Sequence, residues 1–240
     1  MFNESLYQAV RGAIAAAPKK RIVSLDFGGK KYFVKRRMSN GRNSFAKKDP
    51  STAFWCEAYK IMTVNARLPL APHLALLDEN FFAMEAAGRT LQGVAKDEAY
   101  ADVRLNAFWR AGKGLAKLHA AGLHHGRPAL RDIAYDKDAD KITFLDWENE
   151  QHFVSAPAQV LDLFLFLHSC FREEWPDNRL IDEAVKGYRS VKGSEATIQG
   201  LQDFVANHHL LFACCRALVP FGWIDVVSVD KTKEYITGLS

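Results

Sequence analysis

Apolar positions recur every three to four residues through NESLYQAVRGAIAAA at 3–17, and Pro18 stops the pattern, so a helix is expected first. The period then drops to two. RIVSLDF and KKYFVKR alternate apolar and polar residues on either side of Gly28 and Gly29, whose freedom at positive φ suits a tight turn, and the pair reads as a β-hairpin. A polar loop follows at 38–50, then a helix through TAFWCEAYKIMTV with Ser51 as its expected cap. LALLD and FFAMEA read as a second hairpin around Asp78, Glu79 and Asn80.

After Gly88 the helical period takes over, from about Val103 to Ala121, with Gly122 as the natural terminator. Only ITFL at 142–145 is expected to interrupt, as a short buried strand, before helices near 157–173, 179–191 and 195–218. No repeat, low-complexity tract or long linker divides the chain. The pattern predicts an α+β fold: a small β-rich N-lobe at 1–87 with one inserted helix, and a helical C-lobe at 88–240.

Composition fits that picture, since 240 residues with 48% hydrophobic content can bury a substantial core. The longest apolar stretch, VLDLFLFLHSCF at 160–171, is interrupted by Asp162 and His168 and falls short of the ~20 residues a bilayer span needs. The N-terminus lacks the charged start and long apolar centre of a signal peptide, so a cytoplasmic protein is expected. Cys56, Cys170, Cys214 and Cys215 have neither metal-ligand spacing nor the density of a disulfide scaffold, and are expected as buried reduced thiols. His119, His124 and His125 are close together without a zinc pattern around them.

Net charge is +4, yet residues 19–48 alone carry +10, which leaves −6 on the remainder. Such polarity points to an anionic partner: nucleotide phosphates, an anionic acceptor or a membrane surface at which the protein would sit peripherally. The bland reading of the same run is a solvated basic face. The segment lacks the interleaved aromatics of a nucleic-acid module, and no nucleic acid is expected.

The chemistry-bearing residues follow a fixed order. Lys35 lies on the second strand of the first hairpin, in YFVKRR, and Glu57 in the helix pattern FWCEAYKIM. FFAMEAAGRTL is a strand running out to a glycine, and LHAAGLHHGRPALRDIAYDKDADKITFLDWEN is a polar loop followed by a strand that ends in Asp146. Over roughly residues 20–170 this order resembles the protein-kinase-like superfamily, and within it the small bacterial branch that includes lipopolysaccharide-core sugar kinases.

The resemblance implies a bilobal fold that binds ATP and Mg²⁺. In it, Lys35 would bridge the nucleotide phosphates with Glu57 as its partner. Met84 would guard the back of the pocket, while the Glu85 carbonyl and the Ala87 backbone would bind the purine edge. His125 and Gly126 match the catalytic loop, Asp132 takes its Asn position, and Asp132 with Asp146 would hold the metal. Asp162 resembles the helix aspartate that holds the loop backbone.

Four departures stand out. Arg127 occupies the catalytic Asp position and cannot accept a proton, although it could stabilise charge on a transferring phosphoryl group. Glu148 replaces a glycine after Asp146, where it could add a metal ligand or accept a proton, and Trp147 replaces the usual Phe. The glycine-rich phosphate loop is not visible, and basic side chains such as Lys19, Lys20 and Arg21 could compensate for it. With fifteen residues between Asp146 and Asp162 there is little room for a peptide-docking platform. The implied activity is an atypical phosphotransferase acting on a hydroxyl of a sugar, glycolipid or protein Ser/Thr. The alternatives are a pseudokinase that binds nucleotide or a partner without transfer, and a transferase of AMP.

Overall fold

The computed structural model describes residues 3–38, 49–149, 154–174 and 176–239. They form two compact units, Met1–Gly88 with the strip Leu145–Glu148, and Arg89–Phe144 with Asn149–Ser240. The class is α+β, as the alternating and helical patterns predict.

The first unit begins with helix α1 (Glu4–Ala16), capped by the Asn3 side chain, which accepts from the Leu6 N–H at 3.0 Å. Strands β1 (Ile22–Phe27) and β2 (Lys30–Arg36) make the first hairpin, turning through Gly28 and Gly29 at φ 57° and 76°. Helix α2 (Pro50–Asn65) is capped by Asp49 rather than by Ser51. The Asp49 carboxylate accepts from the Ser51 and Thr52 N–H groups, and Pro50 enters the first turn, where its missing N–H does no harm. Strands β3 (Leu74–Leu77) and β4 (Phe81–Glu85) complete an antiparallel sheet in the order β1-β2-β4-β3.

Cross-strand register sorts the side chains of this sheet. Val23 faces Val34 and Leu25 faces Tyr32, and this parity packs with Leu6 and Val10 of α1, Leu76, Phe81 and Ala83 into one core. Each buried aliphatic chain there contributes roughly 1.5–3 kcal/mol. The opposite parity puts Lys35 beside Ile22 on one side and Phe82 on the other, with Phe33 beside Met84 in the next row. Phe54 of α2 covers Phe82, ring centroids 5.1 Å apart, while Ile22 and Phe33 stay 51% and 39% exposed. One sheet face is therefore sealed, and the other is left partly open beside a lysine.

The second unit starts with the two-residue strand β5 (Arg89–Thr90), helix α3 (Leu91–Lys96) and helix α4 (Arg104–Ala120), which Gly122 ends at φ 71°. Two strands follow where one was expected, β6 (Ile133–Asp136) and β7 (Lys141–Phe144), and with β5 they form a three-stranded sheet. Helices α5 (Ala158–Phe171) and α6 (Asn178–Arg189) lie close to the expected positions. The helix expected at 195–218 is instead α7 (Ser194–Asn207) and α8 (His209–Leu218), bent by 67°, and α9 (Ile224–Thr237) follows. Among the described residues no single helix is long and apolar enough to cross a membrane. Of the four cysteines only Cys170 is buried. Cys214 is exposed, because α8 turns only Phe212 fully inward, and this corrects the expectation of four buried thiols.

Candidate active site

Lys35 is placed by the sheet. Its strand parity turns the side chain away from the α1 core, toward α2, and there Nζ meets Glu57 Oε2 at 2.5 Å. Both groups are almost fully buried. The strip Leu145–Glu148 supplies two more carboxylates: Lys35 Nζ lies 3.1 Å from Asp146 Oδ1 and 3.1 Å from Glu148 Oε2. The same Glu148 oxygen accepts from Arg21 Nη2 at 2.6 Å. Two cations thus hold three carboxylates in one patch of the first unit.

The energetics follow from that count. Burial pushes the Glu57 carboxyl up to about 7; Lys35 opposes the shift, and the Asp146 and Glu148 charges add to it. Burial alone would lower the Lys35 ammonium, but the attraction of Glu57, Asp146 and Glu148 outweighs it and leaves the group above its ordinary value. The two directions agree physically. An ammonium surrounded by acids holds its proton, and the most deeply buried acid takes a second one near neutrality. Glu148 goes the other way: burial would raise it, but Lys35 and Arg21 keep it below the usual carboxylate range.

Asp146 has a left-handed backbone, φ 60°, which is uncommon for a non-glycine residue. Asp tolerates that region better than most residues. Glu57, Asp146 and Glu148 present oxygen atoms within 4.8 Å of one another, a hard donor set suited to Mg²⁺.

The expected purine-edge residues lie where β4 leaves the sheet. Met84 pairs with Phe33, and Glu85 turns its carboxylate to Lys30 at 2.9 Å and His73 at 3.3 Å. The Ala86 N–H donates to the Lys31 carbonyl, and Ala87 continues the extended stretch toward β5.

The remaining expected residues belong to the second unit. Asp162 of α5 is fully buried and accepts from the backbone N–H groups of His125 (2.5 Å) and Gly126 (2.7 Å). His119 Nε2 also approaches it at 3.3 Å, while His119 Nδ1 meets the Tyr188 hydroxyl at 2.7 Å. The Arg127 N–H donates to His125 Nδ1, and the Arg127 guanidinium lies 3.9 Å from the buried Asp132 carboxylate. Arg131 lies 3.7 Å from the same group. The expected metal partners Asp132 and Asp146 fall in different units, whereas the acids that surround Lys35 are Glu57, Asp146 and Glu148.

Sequence reasoning did not single out Ile22, Phe33 or Tyr188. Ile22 and Phe33 were readable in principle, because the register of a two-residue turn places them on the same face as Lys35. The Tyr188–His119 contact joins α4 to α6 across 69 residues and left no local signal.

The described part of the basic run is largely occupied internally. Lys30 pairs with Glu85, Arg21 with Glu148, and Arg37 donates to Asn80. Arg36 donates to the carbonyls of Ala17, Pro18 and Lys20. Arg42, Lys47 and Lys48 lie outside the described residues.

No family model matches the chain. An uncharacterized protein of Haemophilus influenzae is 27% identical over 98% of this chain and 97% of its own length. Among solved structures, similarity is found to a MAP kinase from Leishmania major (TM-score 0.43, 75% of this chain) and to the bifunctional kinase-methyltransferase WbdD (TM-score 0.41, 79% of this chain). The chain spans 66% of the first and 49% of the second, less than two thirds of either, and shares 14% of residues with each. At that identity no activity carries over.

Proposed function

We propose that this chain is an atypical kinase, an ATP-dependent phosphotransferase of the protein-kinase-like superfamily. The observation that carries the reading is the buried Lys35–Glu57 pair with Asp146, in the short strip Leu145–Glu148, beside it. A strand lysine held by a helix glutamate next to a second carboxylate is an arrangement suited to polyphosphate and its metal. The open sheet face adds a second support. Ile22, Phe33 and Met84 offer an apolar surface beside Lys35, on which a planar purine can pack.

In this reading Lys35 binds and orients the nucleotide phosphates, with Glu57 fixing its direction. Asp146 and Glu148 offer oxygens to Mg²⁺. When bound, the ion would neutralise charge on the transferring group. Asp162 keeps the His125–Gly126 backbone in one conformation. Arg127 stabilises negative charge and does not take a proton from the acceptor, whose hydroxyl belongs to a sugar, glycolipid or protein side chain.

Arg127 also favours a second reading. A pseudokinase would bind nucleotide at the same residues without transferring phosphate. The two are separated by incubating the protein with Mg²⁺ and γ-labelled ATP, alone and with a cell extract. Label released to water, to the protein or to an extract component supports the kinase, and its loss in Lys35→Met and Asp146→Asn ties it to this site. Retained ATP binding with no release supports the pseudokinase. Label carried over from the α position instead would indicate AMP transfer. Arg127→Asp decides the role of the arginine: turnover falls if it stabilises the transferring group and rises if it merely displaces a base.

A further inference from the structure

In the kinase resemblance a glycine-rich loop should cover the phosphates, and this chain has α1 and a short linker where that loop belongs. The linker is held in place. Arg36 Nη1 donates to the carbonyls of Ala17, Pro18 and Lys20 at 3.4, 2.8 and 3.1 Å, and the Arg36 N–H donates to the Arg21 carbonyl at 2.8 Å. Ile22, the next residue, is already in register with Lys35. Arg21 therefore enters the sheet from an anchored backbone, with its guanidinium at Glu148 Oε2 (2.6 Å), the oxygen that Lys35 reaches from the other side at 3.1 Å. Lys19 and Lys20, the other basic residues of this linker, are exposed.

We propose that Arg21 is a polyphosphate-binding residue that does the work of the glycine-rich loop, and that Glu148 is the carboxylate that occupies it until phosphate takes its place. The inference rests on the nucleotide reading above and deepens it. The chemistry is an exchange of partners. A guanidinium and an ammonium that converge on one carboxylate oxygen are spaced to receive the oxygens of adjacent phosphoryl groups. A polyphosphate offers Arg21 a planar pair of acceptors in place of one oxygen. Glu148, released from both cations, is then free to face the metal that accompanies the phosphates. A glycine-rich loop binds phosphate through backbone N–H groups; here a side chain on a pinned backbone supplies the donors.

The test titrates adenosine, AMP, ADP and ATP, with Mg²⁺, into the full chain and into Arg21→Gln. Loss should grow with phosphate number: tenfold or more for ATP, less for AMP and none for adenosine. A uniform loss across all four ligands would mean that Arg21 only supports the fold, and unchanged ATP affinity would mean that it does not touch phosphate. Either result overturns the inference while leaving the nucleotide reading intact. A wild-type chain that binds none of the four overturns both. Should Arg21→Gln fold poorly, Glu148→Gln gives an independent reading with inorganic tripolyphosphate and no metal. Neutralising the competing carboxylate should tighten binding several-fold, and a variant that binds no better than wild type counts against the exchange.

Discussion

Around the Lys35 ammonium, Glu57, Asp146 and Glu148 compete for one charge, and Arg21 reaches only Glu148. The competition has a pH signature. Burial raises the Glu57 carboxyl to about 7, well above its usual value of 4.5. Between those two values the folded chain holds a proton that the unfolded chain has released. Folding is therefore favoured by acid in that window: the contribution of Glu57 is fully present below about pH 4.5, declines as pH rises toward about 7, and is flat beyond. Glu57→Gln should remove that decline, seen as a flatter plot of unfolding free energy against pH from denaturant titrations. Equal slopes in both proteins would mean that Glu57 is ionised throughout. The partner substitution behaves differently. Lys35→Met leaves the acids without their shared cation and should cost about 3–5 kcal/mol at pH 7. Glu57→Gln keeps shape and resembles a form already populated at that pH, so about 1 kcal/mol is expected in the same measurement.

At the level of elements the tightest contact is between α4 and α6, and it is made by glycines. A methyl group at Gly112 would run into the Ala184 carbonyl, and one at Gly187 into the Trp109 carbonyl, so the two helix backbones meet with no room for Cβ. Alanine ordinarily favours a helix by roughly 0.8–1 kcal/mol over glycine. Here overpacking against rigid backbone wins, and Gly112→Ala or Gly187→Ala should destabilise by about 1–3 kcal/mol. Gly12, in α1 with open space around it, provides the contrast: Gly12→Ala should stabilise by ~0.5–1 kcal/mol. Thermal melts of the three variants would check the sign in each case. Nothing in the sequence distinguishes these glycines, because the distinction is made by a partner helix some seventy residues away. Elements with their own period were legible, α1, both N-terminal hairpins and α4 among them. Those set by context were not. The segment IAYD becomes β6 only because Ile133 and Tyr135 find Phe144 and Ile142 across a hairpin. The apolar period through FVANHHLLF continues across Asn207 and His208, so it conceals the bend between α7 and α8. The same limit applies at the site. Lys35 and Glu57 could be named from position, but the convergence of Arg21 and Glu148 spans 127 residues and depends on a linker that Arg36 pins.

For the molecule as a whole, the nucleotide reading predicts a gain in stability that can be measured without knowing the acceptor. A ligand that binds only the folded chain stabilises it by about 2.7 kcal/mol at a hundred times its Kd. For a chain of this length, 240 residues, each kcal/mol raises the melting temperature by roughly 2–4 °C, so saturating Mg²⁺-ATP should raise it by roughly 5–11 °C. The control must alter charge without altering the backbone. Asp146 sits at φ 60°, where alanine would be strained but asparagine is tolerated nearly as well as aspartate. Asp146→Asn should therefore melt near the wild-type temperature when no ligand is added, yet lose most of the shift with Mg²⁺-ATP. Mg²⁺ alone should produce a much smaller shift in either protein, because the Lys35 ammonium already lies among the acids and an ion without phosphates would have to compete with it. A full shift with Mg²⁺ and no nucleotide would instead make this cluster a metal centre, and it would remove the polyphosphate from the account of why two cations and three carboxylates are gathered in one place.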